Sequence, residues 1–141
     1  MQSALAVTGD ELSSILTGSP FAKIYNLRLD SFRTGECTLV VPFEEALERP
    51  GGIVSGSVLM TAADVAMWLA IMTRIGKDAM TLTTGMTTAF LKSARREDVH
   101  CKAQVLKLGR KLVYGVAECT AHGGSLISHH TITYAVTDPR S

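Results

Sequence analysis

The chain has 141 residues, enough for one domain with a substantial hydrophobic core that needs no covalent staples. Lys plus Arg (14) nearly balance Asp plus Glu (13), and the net charge of +1 gives no electrostatic reason for a nucleic-acid partner. Cys37, Cys101 and Cys119 form no C-x-x-C pair and leave an odd thiol, which suits a reduced cytoplasmic protein better than a disulfide scaffold.

The N-terminal stretch "MQSALAVTGDELSSIL" has no basic n-region and is broken by Gly9 and Asp10, so it does not read as a signal peptide. It reads as a short amphipathic helix, about residues 8–18, capped by Thr8 or Asp10, with Leu12, Ile15 and Leu16 on one face. Gly18-Ser19-Pro20 ends it. The segment "KIYNLRLDSF" then alternates, with Tyr25, Leu27 and Leu29 on one side. After a turn at Thr34-Gly35, "ECTLVVPF" alternates again and turns Cys37, Leu39, Val41 and Phe43 inward, so the pair reads as a β-hairpin.

A polar loop with Pro50-Gly51-Gly52 leads to a long apolar helix, roughly residues 57–75, which Gly76 closes. Its apolar run from Val58 to Met72 falls short of the ~18–20 residues of a membrane span. It also contains Asp64, so the expectation is a buried helix of a soluble intracellular protein with no membrane partner. Four strands follow. They are "TLTTGMTTAFLKSA", "DVHCKAQVLKLG" (Val99, Cys101, Ala103 and Val105 on one face), "KLVYGVAECTA" (Val113, Gly115, Ala117 and Cys119 on one face) and "SLISHHTITYAV". Turns fall at Gly109-Arg110 and Gly123-Gly124. There is no repeat, linker or low-complexity tract, so residues 1–141 read as a single domain.

A helix apolar nearly all round must be covered on most sides. Small inward residues (Ala103, Gly115, Ala117) let a sheet curve closely about it. The expected class is α+β, an antiparallel sheet wrapped around one long central helix, known as the hotdog fold. A generic α+β sandwich has the same order of elements.

Asp64 is the residue that needs an account. Its helical neighbours Met60, Thr61, Met67 and Trp68 include no basic side chain to pair with it, and a lone carboxylate in such a place suits a general base. The alternative is an inert Asp bonded to Thr61 or a nearby strand. Gly56, at the helix entrance, has an N–H among the unpaired donors of the first turn, a ready oxyanion hole. A plain cap from Ser55 or Ser57 is the alternative there.

Other constellations fail. His129 and His130 are adjacent in a strand and face opposite ways, as do His100 and Cys101, so neither pair chelates a metal. "GIVSG" is not a nucleophile elbow, and no phosphate-binding glycine loop is present. The three cysteines alternate inward as small core residues.

The loop and helix "SGSVLMTAAD" resemble the hotdog acyl-CoA thioesterases, in the branch that includes phenylacetyl-CoA thioesterases. Those show a His-Gly-Gly and a catalytic Asp nine residues after the His, which places Ser55 at the His, Gly56 and Ser57 at the glycines, and Asp64 at the catalytic Asp. "TTGMTTAFLKSA" resembles the family strand ending in Phe-Leu-Arg-Pro, and "VLKLGRKLVYGVAE" its Gly-Arg hairpin. The likeness runs from about residue 22 to 137. It departs at Ser55, which lacks an imidazole, at Ser57, and at Arg49, where many members carry Asn.

The resemblance implies hydrolysis of an acyl-CoA thioester with Asp64 as base or nucleophile, Gly56 as oxyanion donor, and Ser55 and Thr83 in the site. Thr83 stands where some members carry a water-orienting Ser or Thr. It further implies no cofactor, and a homodimer or homotetramer in which the loop of one subunit meets Asp64 of another. The phosphates of coenzyme A would need fixed cations, for which Lys92, Arg95, Arg96, Arg110 and Lys111 are the candidates. The readings that compete are a non-catalytic acyl-CoA or lipid-binding hotdog protein and, more weakly, a dehydratase of this fold.

Overall fold

The computed structural model of the chain describes residues 5–121 and 124–137. Residues 1–4 of the N-terminal stretch, and Gly123 of the expected last turn, lie outside them. The helix α1 (Gly9–Gly18) opens on Thr8, whose side chain accepts from the Glu11 N–H while the Glu11 carboxylate accepts from the Thr8 N–H. This reciprocal box satisfies two of the first-turn donors. Leu12 and Leu16 of α1 are buried.

The first departure from the sequence reading follows directly. Lys23, Ile24 and Tyr25 do not begin a strand but end a second short helix, α2 (Pro20–Tyr25). Pro20 sits at its start, where the fixed φ of proline favours a helix, and Asn26 closes it in the left-handed region at φ 52°. The strand β1 (Arg28–Arg33) starts later and is irregular between Leu29 and Ser31, so the half-buried positions are Leu29 and Phe32. It forms the expected antiparallel hairpin with β2 (Glu36–Val41), whose Cys37, Leu39 and Val41 are buried. Phe43 lies beyond β2 and is half-buried, with its N–H donated to Asp98 Oδ1 at 2.8 Å.

The loop before the long helix is more ordered than its composition suggests. A one-turn 3-10 segment (Glu45–Leu47) leads into a small ribbon of β3 (Glu48–Arg49) and β4 (Ile53–Val54). Gly51 and Gly52 turn it at φ 102° and 71°, backbone angles that favour glycine. The helix α3 (Gly56–Ile75) follows, with its last turn closed by the Gly76 N–H on the Met72 carbonyl at 2.9 Å.

The strands β5 (Thr81–Phe90), β6 (Val99–Leu108), β7 (Leu112–Thr120) and β8 (Leu126–Val136) complete one antiparallel sheet in the order β1-β2-β6-β7-β8-β5. Alternation places Val99, Cys101 and Ala103 of β6 and Val113, Gly115, Ala117 and Cys119 of β7 against α3, as expected, while Val105 is half-buried beside an irregularity in β6. The helix packs chiefly on β6, β2 and β7 and touches β8 and β5 more sparsely, so its flank toward β5 stays open. By length and composition alone α3 could cross a membrane, but 67% of its most apolar window is buried inside the fold, as befits a core helix.

Close approach of sheet and helix depends on Gly115. A Cβ built there would run into the Gln104 carbonyl oxygen of the neighbouring strand and the Met67 side chain of α3. Gly115→Ala should therefore cost about 1–3 kcal/mol through overpacking, read as a lower urea midpoint at constant slope. An unchanged midpoint would show that the sheet does not press on the helix. The buried thiols carry a second consequence. Burial pushes the Cys37 thiol up to about 12 from its ordinary 9.0. In the unfolded chain that thiol ionises near 9.0 whereas in the fold it does not, so its contribution to stability is lost as pH rises from about 9 toward 12. The urea midpoint should fall across that range, and less steeply in Cys37→Ala; identical slopes would remove Cys37 from the effect.

Candidate active site

The open flank of α3 presents Met60, Thr61, Asp64, Val65 and Trp68, residues that share a face at helical spacing. Opposite them run β5 and its neighbour β8, in which Thr83 and Tyr134 are register partners. Both reach Asp64. The Thr83 hydroxyl donates to Asp64 Oδ1 at 2.7 Å, and the Tyr134 hydroxyl approaches the same oxygen at 2.7 Å and the Asp64 backbone carbonyl at 2.8 Å. Asp64 is half-buried, and among the described residues no Lys or Arg pairs with it. Its hydrogen-bond partners are neutral hydroxyls.

Tyr134 fills this role because it cannot easily ionise. Burial, and then the Asp64 charge beside it, raises the phenol well above its usual range, so it stays a proton donor. The sequence reading did not single out Tyr134. One signal was available: Tyr134 stands on the inward face of β8, and a buried tyrosine hydroxyl needs a partner. Thr83 is the member of the threonine-rich β5 that reaches Asp64. Thr84 bonds the Thr133 carbonyl, and Thr88 bonds His130 Nδ1 at 2.8 Å. His130 is fully buried, also bonded to Ser128 at 2.8 Å, and His129 is half-buried on the other face, in keeping with strand alternation. The bond from Thr61 runs to the Ser57 carbonyl and not to Asp64.

Asp64 borders two hollows. One of about 250 Å³ is lined by Val65, Trp68, Thr81, Leu82 and Tyr134; the other, of about 460 Å³, by Tyr25, Met60, Thr61 and Met86. A third, of about 480 Å³, lies at the start of α3 against Arg49, Gly56, Leu59, Phe90 and Leu91.

At that helix start the alternative reading, a serine cap, is not made. Ser55 has the extended backbone of an N-cap, but its Oγ lies 2.9 Å from Ser57 Oγ and does not accept from the first turn. The Ser55 carbonyl takes the Val58 and Leu59 N–H groups, and among the described residues none accepts from the N–H of Gly56 or Ser57. The Phe90 ring rests on Gly56, where a Cβ would stand 3.0 Å from its Cζ. An unpaired donor at a helix N-terminus, walled by an aromatic ring, suits a developing negative charge.

The two halves do not meet within one chain. Gly56 precedes Asp64 by eight residues of the same helix, a rise of about 12 Å. The candidate cations divide in the same way. Lys92, Arg95 and Arg96 gather near the start of α3, where Lys92 bonds Ser125 Oγ, Arg95 bonds the Gly51 carbonyl at 3.1 Å, and Arg96 packs against Gly52. Arg110 and Lys111 occupy the β6–β7 turn at the other end of the sheet.

The model of the thioesterase superfamily matches residues 51–128, more than half of the chain. A Thermoplasma volcanium protein, TV1331, whose name proposes an esterase, is 26% identical over 106 residues, 75% of this chain and 79% of that one. The structure of zebrafish thioesterase superfamily member 2 superposes with a TM-score of 0.82 at 25% identity, over 95% of this chain and 99% of that one. Thioesterase HI1161 of Haemophilus influenzae gives a TM-score of 0.87 at 16% identity over 96% of each chain, a likeness of fold.

Tyr134→Phe removes one hydrogen bond to a charged group, worth about 1.5–3 kcal/mol. It should lower the kcat of thioester hydrolysis by about 10–100-fold if that bond holds the carboxylate in its working position, and lower the thermal midpoint by several degrees. Wild-type kcat in this variant would show that the clamp serves stability alone.

Proposed function

The chain belongs to the thioesterase superfamily and is a thioester hydrolase of the hotdog fold, and from that premise we propose that it cleaves acyl-CoA thioesters to the free acid and coenzyme A at a site shared by two subunits. The observation that supports the chemistry is the loading of Asp64. Two hydroxyl donors occupy Oδ1, which leaves Oδ2 to act as general base on water. The Thr83 oxygen, whose proton is engaged with Asp64, keeps lone pairs that can accept from that water and aim it. Attack forms the C–O bond while the water proton passes to Asp64, and the charge that gathers on the thioester oxygen is met by the Gly56 N–H. Collapse breaks the C–S bond, and the leaving thiolate takes the proton from Asp64.

The separation along α3 supports the second half of the proposal. One thioester cannot touch Gly56 and Asp64 of the same helix, so a second copy supplies the missing half. The strand β5 is one edge of the sheet, ten residues long, with Leu82 and Phe90 more than half exposed. Such an edge is a template for pairing. Antiparallel pairing of two β5 strands about Met86 would set the Phe90 and Gly56 end of one chain beside Thr83 and Asp64 of the other. It would also draw Lys92, Arg95 and Arg96 toward Arg110 and Lys111 of the partner subunit, across the path of the nucleotide phosphates.

Asp64→Asn keeps the shape and removes the base, and should lower turnover of an acyl-CoA panel by ~10²–10⁴-fold with the fold intact. Equal turnover by the variant would remove Asp64 from the mechanism. Light scattering at micromolar protein should give a dimer or a tetramer; a fully active monomer would contradict the shared site.

A further inference from the structure

Beneath the first turns of α3 the core holds polar groups that thioester hydrolysis does not use. His130 and Ser128 are fully buried, a costly placement in an apolar core unless each is bonded. They bond each other at 2.8 Å, and the second ring nitrogen of His130 lies 2.8 Å from Thr88 Oγ1. Cys119 completes the group, its sulfur 3.8 Å from His130 Nε2 and 3.9 Å from the Leu59 carbonyl of α3. Directly opposite Cys119, on β6, stands Cys101, also fully buried on the inward face.

Opposed residues of an antiparallel pair have Cα atoms about 4.5 or 5.5 Å apart, within the span of about 4.4–6.8 Å that a disulfide bridges. Register excludes Cys37. It faces Ala103, two residues along β6 from Cys101, and such diagonal neighbours are about 7–8 Å apart, too far for a bridge. The neighbouring Cys101 thiol, and after it His130 and Ser128, hold the Cys119 thiol below its ordinary 9.0 against the opposing effect of burial. The same contact raises Cys101. The thiolate is the nucleophile of sulfur chemistry, so Cys119 reacts first and Cys101 stands beside it to resolve the product.

We propose that Cys101 and Cys119 form a redox modification site, a dithiol that a hydroperoxide converts to a disulfide within one chain. The Cys119 sulfur attacks the peroxide, the O–O bond breaks, and Cys119 becomes a sulfenic acid while the leaving hydroxide takes up the thiol proton as water. The Cys101 sulfur then attacks the Cys119 sulfur. The S–S bond forms, the S–O bond breaks, and the departing hydroxide takes the Cys101 proton as a second water. Two thiols are oxidised and one peroxide is reduced. Because both sulfurs are buried, the oxidant is as small as hydrogen peroxide and enters through local opening of the fold.

The test oxidises the native full chain with hydrogen peroxide, unfolds it, alkylates it with iodoacetamide and maps the peptides by mass. None of these readouts depends on thioester hydrolysis. Cys37 alone should be alkylated, with the peptides of Cys101 and Cys119 joined at the loss of two hydrogens. Dithiothreitol should restore alkylation at all three cysteines. Cys37→Ala should form the same bridge. In Cys101→Ala, which cannot close it, Cys119 should stop at a sulfenic acid that dimedone traps. Three alkylated thiols after an incubation that fully oxidises free cysteine would overturn the proposal. So would a bridge to Cys37, a bridge between chains, or Cys119 taken to sulfinic acid with Cys101 still free.

Discussion

A single half-buried carboxylate organises this molecule. Asp64 interrupts an otherwise apolar helix, and a charge there is tolerated only where donors compensate the water it has lost. The compensation comes from two hydroxyls, Thr83 and Tyr134, held side by side by the register of β5 and β8. Tyr134 also bonds the backbone of the helix at the same residue. Position of the helix, register of the two strands and orientation of the carboxylate are therefore one constraint. Both donors are neutral, so no cation competes for the carboxyl among the described residues, as the proposed chemistry requires.

The other end of the helix follows the opposite logic. A serine at the N-cap would ordinarily accept from the first turn, an interaction worth about 0.5–2 kcal/mol. Here Ser55 faces Ser57 and leaves the Gly56 donor free. That stabilisation is forgone, and the proposed function gives the free donor a use. Helix geometry then keeps the Gly56 donor and the Asp64 carboxyl about 12 Å apart, and under the proposed function a long unpaired edge strand becomes the means of completing the site.

Much of the fold was legible because local patterns and tertiary demands agree. The strands β2, β6 and β7 alternate cleanly, since one face meets α3 and the other does not, and α3 itself was read to within one residue of its start. The reading of Lys23–Tyr25 as strand failed because Pro20 and Asn26, outside the alternating run, set the backbone of a helix too short to show periodicity. Asp64 stood out in the sequence as a charge without a partner. Of its partners, Thr83 came only with the family resemblance and Tyr134 not at all, because the two lie 51 residues apart and only the pairing of β5 with β8 joins them. The division of the cations between two ends of the sheet was hidden for the same reason, being set by strand order and not by spacing along the chain.

The central claim is that base and oxyanion donor come from different subunits, and subunit mixing tests it most directly. Asp64→Asn removes the base, while Gly56→Pro removes the donor at the first helical position, where the fixed φ of proline suits the backbone and the Phe90 ring must shift to admit the pyrrolidine. Each variant alone should be inactive. Mixed, dissociated and reassociated in equal amounts, they should regain about a quarter of wild-type activity, because about half of the dimers carry one chain of each kind and each of those has one intact site. A mixture as inactive as its components, with mixed dimers demonstrated by mass spectrometry, would place both groups of a working site in one chain and contradict the account.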